Sequence, residues 1–274
     1  MKRFLSGIVF CLWLSALLTG FAGATGRGPV RLVLASWNIE NLFDAEDDPD
    51  NPGDDEYTPG GWTRWTEARY RHKLSNVAGV IAALNPDILG LAEVENRRVL
   101  EDLNILLRER HSLELPFILH QDVGDQRGIE NAVLARFEPQ KVRWLMPVEG
   151  QRPILVAEFA PMGQSLVFMM NHWKSRYGAK ATAYAVRAVE ARAVRAEIDR
   201  RLALDPAVAI VAAGDFNDDI DDAIPQACAG FVLDEDAVLA DGRMMYNLSA
   251  TLSPERRGSY YYNRESRWHS FDFM

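Results

Sequence analysis

Asp215 and Asn217 follow an apolar run, Val208 to Ala213, that breaks at Gly214. A carboxylate and an amide two residues apart on an extended segment point the same way, so both can face one site while Phe216 packs behind them. Such groups on a rigid strand end can orient a water molecule, a metal ion or a phosphate oxygen. Gly, Asp and Asn are also common turn residues, so a plain strand-to-loop turn stays open on this stretch alone. Other apolar runs stop on polar residues in the same manner. VRLVLAS leads into Trp37-Asn38-Ile39-Glu40-Asn41, DILGLAEV carries Glu93 near its end, and SLVFMM runs into Asn171-His172-Trp173-Lys174. A histidine leaving a buried strand in polar company suits proton transfer or hydrogen bonding better than His72, His111 or His120, which lack that setting. Glu130 stands where a polar, glycine-containing loop meets the next apolar run.

The elements that must hold these groups alternate between two periodicities. Apolar runs at 30–36, 87–94, 117–121, 131–137, 142–147, 153–159, 165–170 and 208–213 read as strands, with a further strand at 257–262 and one beginning at 268. Leu74, Val77, Ala78, Ile81 and Leu84 recur at helical spacing over 66–84. Tyr184, Ala188, Ala191, Val194, Ile198 and Leu202 do so over 180–204, and 99–110 is a third helix. Strand, helix, strand in succession predicts crossovers in an α/β protein. The sequence contains no internal repeat and no flexible linker, so residues 25–274 are expected to form one domain. Arg69, Arg71, His72 and Lys73 open the first helix and read as a solvated face.

Met1, Lys2 and Arg3 precede an apolar run from Phe4 to Ala24 that ends in Ala22-Gly23-Ala24. A basic start, an apolar stretch and a small-residue site have the form of a cleaved secretory signal over 1–24, with a retained anchor as the alternative. The protein is then exported, periplasmic or secreted, a monomer, with no stable membrane association after cleavage. Cys11 leaves with the signal and Cys228 remains alone, a small apolar side chain with no intramolecular bridge. The balance of 39 acidic against 30 basic side chains gives a net charge of −9. That argues against gripping a nucleic-acid backbone by bulk charge, though an acidic enzyme can visit a phosphodiester through bound cations. The acidic loop DAEDDPDNPGDDE, residues 44–56, invites a calcium reading. With Gly53 at position six of the helix-loop-helix calcium pattern, positions five and twelve fall on Pro52 and Pro59, so a solvated insertion is expected instead.

Taken together, Trp37-Asn38, Glu93, Asn171-His172, Gly214-Asp215-Phe216-Asn217 and Phe271-Asp272 resemble, in that order, the motifs of the endonuclease/exonuclease/phosphatase superfamily. The resemblance runs from about Val30 to the last residue, and SWNIENLFD followed by DDEYTPGGW looks most like its exported bacterial branch. It implies a four-layer α/β sandwich of two mixed sheets flanked by helices, with the site in a cleft at one edge of the paired sheets. It makes Glu93 a metal-binding carboxylate with Asn38 beside it, and Asp215 the group that orients or activates the attacking water with help from Asn217. His172 hydrogen-bonds the phosphoryl group, and Glu130 lies where the pancreatic deoxyribonuclease type carries a glutamate paired with that histidine. Mg2+ suits these oxygen ligands, with Mn2+ a possible substitute.

Members of the family carry a further Ser-Asp-His after the strand holding the counterpart of Asp272. None follows Asp272 here, so the last strand or strands of the fold are expected to be missing and the chain to be a shortened reading of a longer gene. His269 stands at the wrong spacing to replace that histidine. The implied function is a metal-dependent phosphodiester hydrolase, a nuclease acting by in-line attack of water on nucleic acid or another phosphodiester. The alternatives are a catalytically impaired phosphate or nucleic-acid binder, and a phosphomonoesterase or lipid phosphodiesterase. Lys174, Arg64 and Arg176 are candidates for a phosphate path and Trp62, Trp65 and Trp173 for base stacking; surface charge and packing are the other readings.

Overall fold

The computed structural model describes residues 10–12, 31–49, 51–123 and 127–274. The expected signal lies outside the described residues except for Phe10–Leu12, so its cleavage is not read from the fold. Those three residues form strand β1, antiparallel to β2 (Leu34–Leu42). Strand β2 pairs in parallel with β3 (Ile88–Val94) and β3 antiparallel with β5 (Glu130–Ala135), which carries β4 (Phe117–His120) on its far side. The second sheet runs in the order β14 (Asp272–Phe273), β9 (Ala209–Asp215), β8 (Leu166–His172), β7 (Ile154–Phe159), β6 (Lys141–Leu145). Its one parallel pair is β8 with β9, and β14 forms its edge.

The parallel pairs are bridged by helices, as parallel strands require. Helix α1 (Glu67–Leu84) joins β2 to β3, and α3 (Lys180–Leu204) joins β8 to β9; α2 (Arg97–His111) follows β3. The Thr66 hydroxyl caps α1 by accepting from the Arg69 N–H, and Asn85 closes it in a left-handed conformation.

The strands bury both faces, which is why they read as unbroken apolar runs. Leu34, Ile88, Ala92 and Val133 of the first sheet meet Leu155, Ala157, Phe168 and Met170 of the second. On the outer face of the first sheet, Trp37, Leu89 and Leu91 pack against Leu74, Ile81, Leu103 and Leu107 of α1 and α2. Behind the second sheet, Val156, Val167 and Met169 pack against Ala191, Val194 and Ile198 of α3. Helices, sheet, sheet and helix make four layers, as expected. Among the described residues no helix is long and apolar enough to cross a membrane.

Several expectations are corrected. The strands continue through their polar ends: Asn38 and Glu40 lie inside β2, Asn171 and His172 inside β8, and Asp215 ends β9. Tyr184 is exposed, whereas Arg187 and Arg201 are buried on α3 beside Glu190 and Glu197. Residues 223–259 hold short elements where loop was expected, namely β10 (Phe231–Val232), α4 (Glu235–Ala240) and β11 (Met245–Tyr246). A hairpin of β12 (Tyr260–Tyr262) and β13 (Arg267–His269) then precedes β14. Cys228 is half-buried and unbridged.

Candidate active site

Strand pairing builds half of the site. His172 on β8 lies opposite Asp215 on β9, which in turn lies opposite Asp272 on β14. Partners in register on neighbouring strands project to the same face, so the three side chains form a row across one end of the sheet. The chain can pack this closely because residue 214 is glycine: it adopts φ +137°, and a Cβ there would sit 2.0 Å from the Asn171 carbonyl oxygen.

The first sheet supplies the other half through irregular backbone. The β2–β3 register shifts between Asn38 and Leu42, and the β3–β5 register between Leu91 and Val94. Glu40, Asn41 and Glu93 take left-handed φ values of 52°, 63° and 66°. At the bulge in β3 the Glu93 carboxylate comes to face His172 of the second sheet. Asn38 Nδ2 then bridges the sheets, donating to Asp215 Oδ2 at 3.0 Å and to Glu93 Oε1 at 3.3 Å. His172 Nε2 stands 3.9 Å from Glu93 Oε1 and 3.8 Å from Asp215 Oδ2. Asn38, Glu93, His172 and Asp215 therefore converge from four strands.

Asn217 arrives by a different route from the expected strand alternation. Its φ of 50° is left-handed, and its N–H donates 2.8 Å to Asp215 Oδ1, closing a turn that fixes the carboxylate. Its Nδ2 donates to the Trp173 carbonyl at 3.0 Å, which leaves its amide oxygen as the acceptor available at this corner. Phe216 packs behind as expected, stacked on Phe273 and edge-on to Trp173. Trp173 is thereby a core residue.

Glu130 begins β5 near Val94 and is buried, but the hydrogen bond to His172 that the resemblance implies is not formed: among the described residues His172 Nδ1 has no partner. The two residues stand on different sheets, so register does not align them as it aligns His172 with Asp215. Lys174 is held by its backbone, with its N–H on Glu190 and its carbonyl accepting from Arg187. Its ammonium joins none of the site's hydrogen bonds among the described residues. Arg176 is committed to Asp218, Asp219 and the Asn217 carbonyl, with its guanidinium 4.6 Å over the Phe271 ring. It staples the β9 corner instead of lining a phosphate path. Arg64 and Trp62 are exposed, and Trp65 donates to the Phe43 carbonyl. His269 is buried against Asp219, with Nδ1 2.8 Å from its Oδ2.

Three supporting residues escaped the sequence reading. Arg127 places Nη1 3.8 Å from Glu93 Oε1 and donates to Asn41 Oδ1 at 2.6 Å; its one signal was a basic residue next to glycine in the loop before Glu130. Arg152 donates to the His172 carbonyl at 3.4 Å. Lys73 was read as part of a solvated face, yet it is half-buried with its ammonium on the carbonyls of Glu40 and Asn41, pinning the left-handed pair. Burial pushes its pKa down to about 8.

Electrostatically the corner is short of positive charge. Burial, then Arg152 and Arg127, hold His172 well below the usual imidazole range, so it is neutral. Burial pushes Asp215 up to about 6 against the hydrogen bonds from Asn38 and Asn217, and Glu93 adds to the rise. Asp272 is raised well above the carboxylate range by burial and by Asp215, against a hydrogen bond from Ser259. Its Oδ1 is buried without a partner among the described residues. Buried carboxylates gathered at one corner, two of them raised, are a donor set that a hard divalent cation fits.

A family model described as "Endonuclease/Exonuclease/phosphatase family" matches residues 33–274. Among solved structures, the chain is similar to selenomethionine TDP2 from Caenorhabditis elegans, with 16% identity over 88% of this chain and 62% of that one and a TM-score of 0.54. It is similar to a humanized D. rerio TDP2, with 17% identity over 88% of this chain and 80% of that one and a TM-score of 0.53. A further C. elegans TDP2 structure is 19% identical over 68% of this chain and 48% of that one, with a TM-score of 0.48. The chain thus spans from about half to about three fifths of the length of the C. elegans chains. No curated protein matches it.

Proposed function

The chain belongs to the endonuclease/exonuclease/phosphatase family, hydrolases of phosphodiesters and phosphate monoesters, and on that premise we propose that it is a divalent-metal-dependent phosphodiesterase, a nuclease acting outside the cytoplasm. The observation that carries this reading is the convergence of Glu93, Asp215 and His172 around the Asn38 amide, drawn from both sheets into one buried corner.

Glu93 would hold Mg2+ or Mn2+, with Asn38 orienting its carboxylate through Nδ2, and the ion would neutralise charge on the phosphoryl oxygens. Asp215 orients the attacking water and takes its proton, for which a carboxylate raised towards neutrality by burial is well suited. The turn that ties Asn217 to Asp215 keeps the carboxylate aimed, and the Asn217 oxygen accepts a second hydrogen bond from the water. His172, neutral at Nε2 and Nδ1 together with a single proton, donates to a phosphoryl oxygen without adding a competing charge. Arg127, reaching Glu93 from the first sheet, adds positive charge at the mouth of the cleft. The net negative charge of the chain leaves cations to offset the repulsion of a nucleic-acid substrate. Export rests on the sequence of residues 1–24.

A second reading has an observation of its own: Asp272 Oδ1 meets no imidazole or other partner among the described residues. On that reading the corner binds phosphate or nucleic acid without turning it over. Hydrolysis of plasmid DNA and of a small aryl phosphodiester, with Mg2+ and with chelator, separates the two. Mg2+-dependent turnover of both that Asp215→Ala abolishes supports the nuclease. Binding of DNA without turnover supports the binder, and turnover of a phosphomonoester or a choline phospholipid in place of both moves the substrate class within the family.

A further inference from the structure

The acidic loop is solvated along much of its length, as expected, but it buries one of its carboxylates. Asp54 is 1% exposed. Its Oδ2 accepts the Asp48 N–H at 2.9 Å, while its Oδ1 is buried and meets no hydrogen-bond partner among the described residues. The carboxylates of Asp47, Asp54 and Asp55 each bring an oxygen to within 4.8 Å of the others. The charges acting most strongly on Asp54 are those of Asp47, Asp48 and Asp55, all negative, on top of the cost of burial. A buried carboxylate oxygen left without a donor costs the fold free energy, and three like charges so close add to that cost. A bound cation removes both penalties at once.

We propose that Asp47, Asp54 and Asp55 hold a calcium ion, at a site separate from the strand-end cleft, that fastens this loop. The helix-loop-helix calcium pattern fails here because its ligands are counted along the chain, whereas these three are gathered by a turn. Calcium fits better than magnesium: it accepts irregular sets of six to eight oxygens, including backbone carbonyls and water, where magnesium demands near-ideal octahedral geometry. The loop also matters to the cleft. Gly53 lies so close to the 127–128 backbone that a Cβ would sit 2.3 Å from the Arg127 carbonyl carbon. Arg127 in turn reaches Asn41 and Glu93. A cation that joins Asp47 to Asp54 and Asp55 therefore buttresses the segment that presents Arg127 to the candidate active site.

The test uses the full chain carrying Glu93→Gln, which removes the metal-binding carboxylate assigned to the cleft. Calcium binding is measured by isothermal titration calorimetry after chelation, together with the Ca2+-induced rise in melting temperature. One equivalent of Ca2+ is expected to bind, with Mg2+ weaker. Adding Asp47→Asn and Asp55→Asn, both at exposed positions and so without cost to folding, is expected to weaken Ca2+ by about tenfold or more, since affinity follows ligand charge. Asp54→Asn, if it folds, does the same. Absence of Ca2+ binding to the Glu93→Gln protein, or an affinity unmoved by the Asp47/Asp55 pair, overturns the proposal. Neither outcome bears on phosphodiester hydrolysis by the wild-type chain, so the two readings fail separately.

Discussion

Asp215 and Glu197 are both buried carboxylates on neighbouring layers of the molecule, the one ending β9 and the other inside α3. Their surroundings push them in opposite directions. At Asp215 burial wins, because the opposing interactions are two amide hydrogen bonds and the charge of Arg152, while Glu93 adds to the rise. At Glu197 burial also acts, but hydrogen bonds from Arg200, Arg143 and Arg201 outweigh it and hold the group down to about 2. Arg201 lies 2.7 Å away and extends the network to Glu158. A carboxylate whose protein partners already satisfy it serves the fold. A group of carboxylates that the protein leaves mutually repelling is completed by something it binds, and that contrast separates a site from a brace.

The contrast is broken most severely if mutation at each place has the same effect. Asp215→Ala is expected to lower phosphodiester turnover by about 10³-fold, with a melting temperature in chelator no lower than that of the wild type, since it removes a strained charge. An Asp215→Ala protein that loses stability yet keeps its turnover would put the brace where the site is claimed. Glu197→Gln should do the reverse, costing about 3 kcal/mol by leaving arginines without their partner, two of them partly exposed. Turnover per folded molecule should not change, as urea unfolding and steady-state kinetics on one preparation will show.

Acidification sharpens the comparison further. With metal chelated, Asp215, raised from 3.8 to about 6, burdens the fold above pH 6 and is progressively relieved as pH falls from 6 towards 3.8. Glu197, lowered from 4.5 to about 2, contributes its full stability above pH 4.5 and loses it only as pH falls through 2. Between pH 6.5 and 4.5 the wild type in chelator should therefore gain stability from this corner, on the order of 1 kcal/mol, relative to Asp215→Asn. Parallel stability curves for the two proteins over that window would contradict it.

How much of this was open to reading in the sequence depended on the kind of signal. Apolar runs and helical spacing located the layers, since both sheet faces are covered and the periodicities are clean. Helix α3 shows where that logic weakens: its buried face mixes Ala191 and Val194 with Arg187, Glu190, Glu197 and Arg201, so an apolar stripe placed Tyr184 inside when it is exposed. Strand ends were drawn too early at Asn38, His172 and Asp215, because polar residues usually mark a loop. Here backbone pairing continues beneath them, since the side chains turn into the cleft. The convergence of Asn38, Glu93, His172 and Asp215 was reached through motif order, whereas Arg127 reaches in from a loop and Arg152 and Lys73 act on backbone carbonyls, so none of the three leaves a periodic trace. Asn217 and Asp54 depend on turn geometry, which spacing along the chain does not encode.

The most direct test of the central contrast is Mn2+ binding followed by electron paramagnetic resonance, in a background carrying Asp47→Asn and Asp55→Asn so that the acidic loop does not contribute. Glu197→Gln in that background should bind one Mn2+ as tightly as its parent, and Glu93→Gln should lose that ion. Equal Mn2+ binding by the Glu93→Gln and Glu197→Gln proteins would contradict the assignment of the strand-end carboxylates as the metal site.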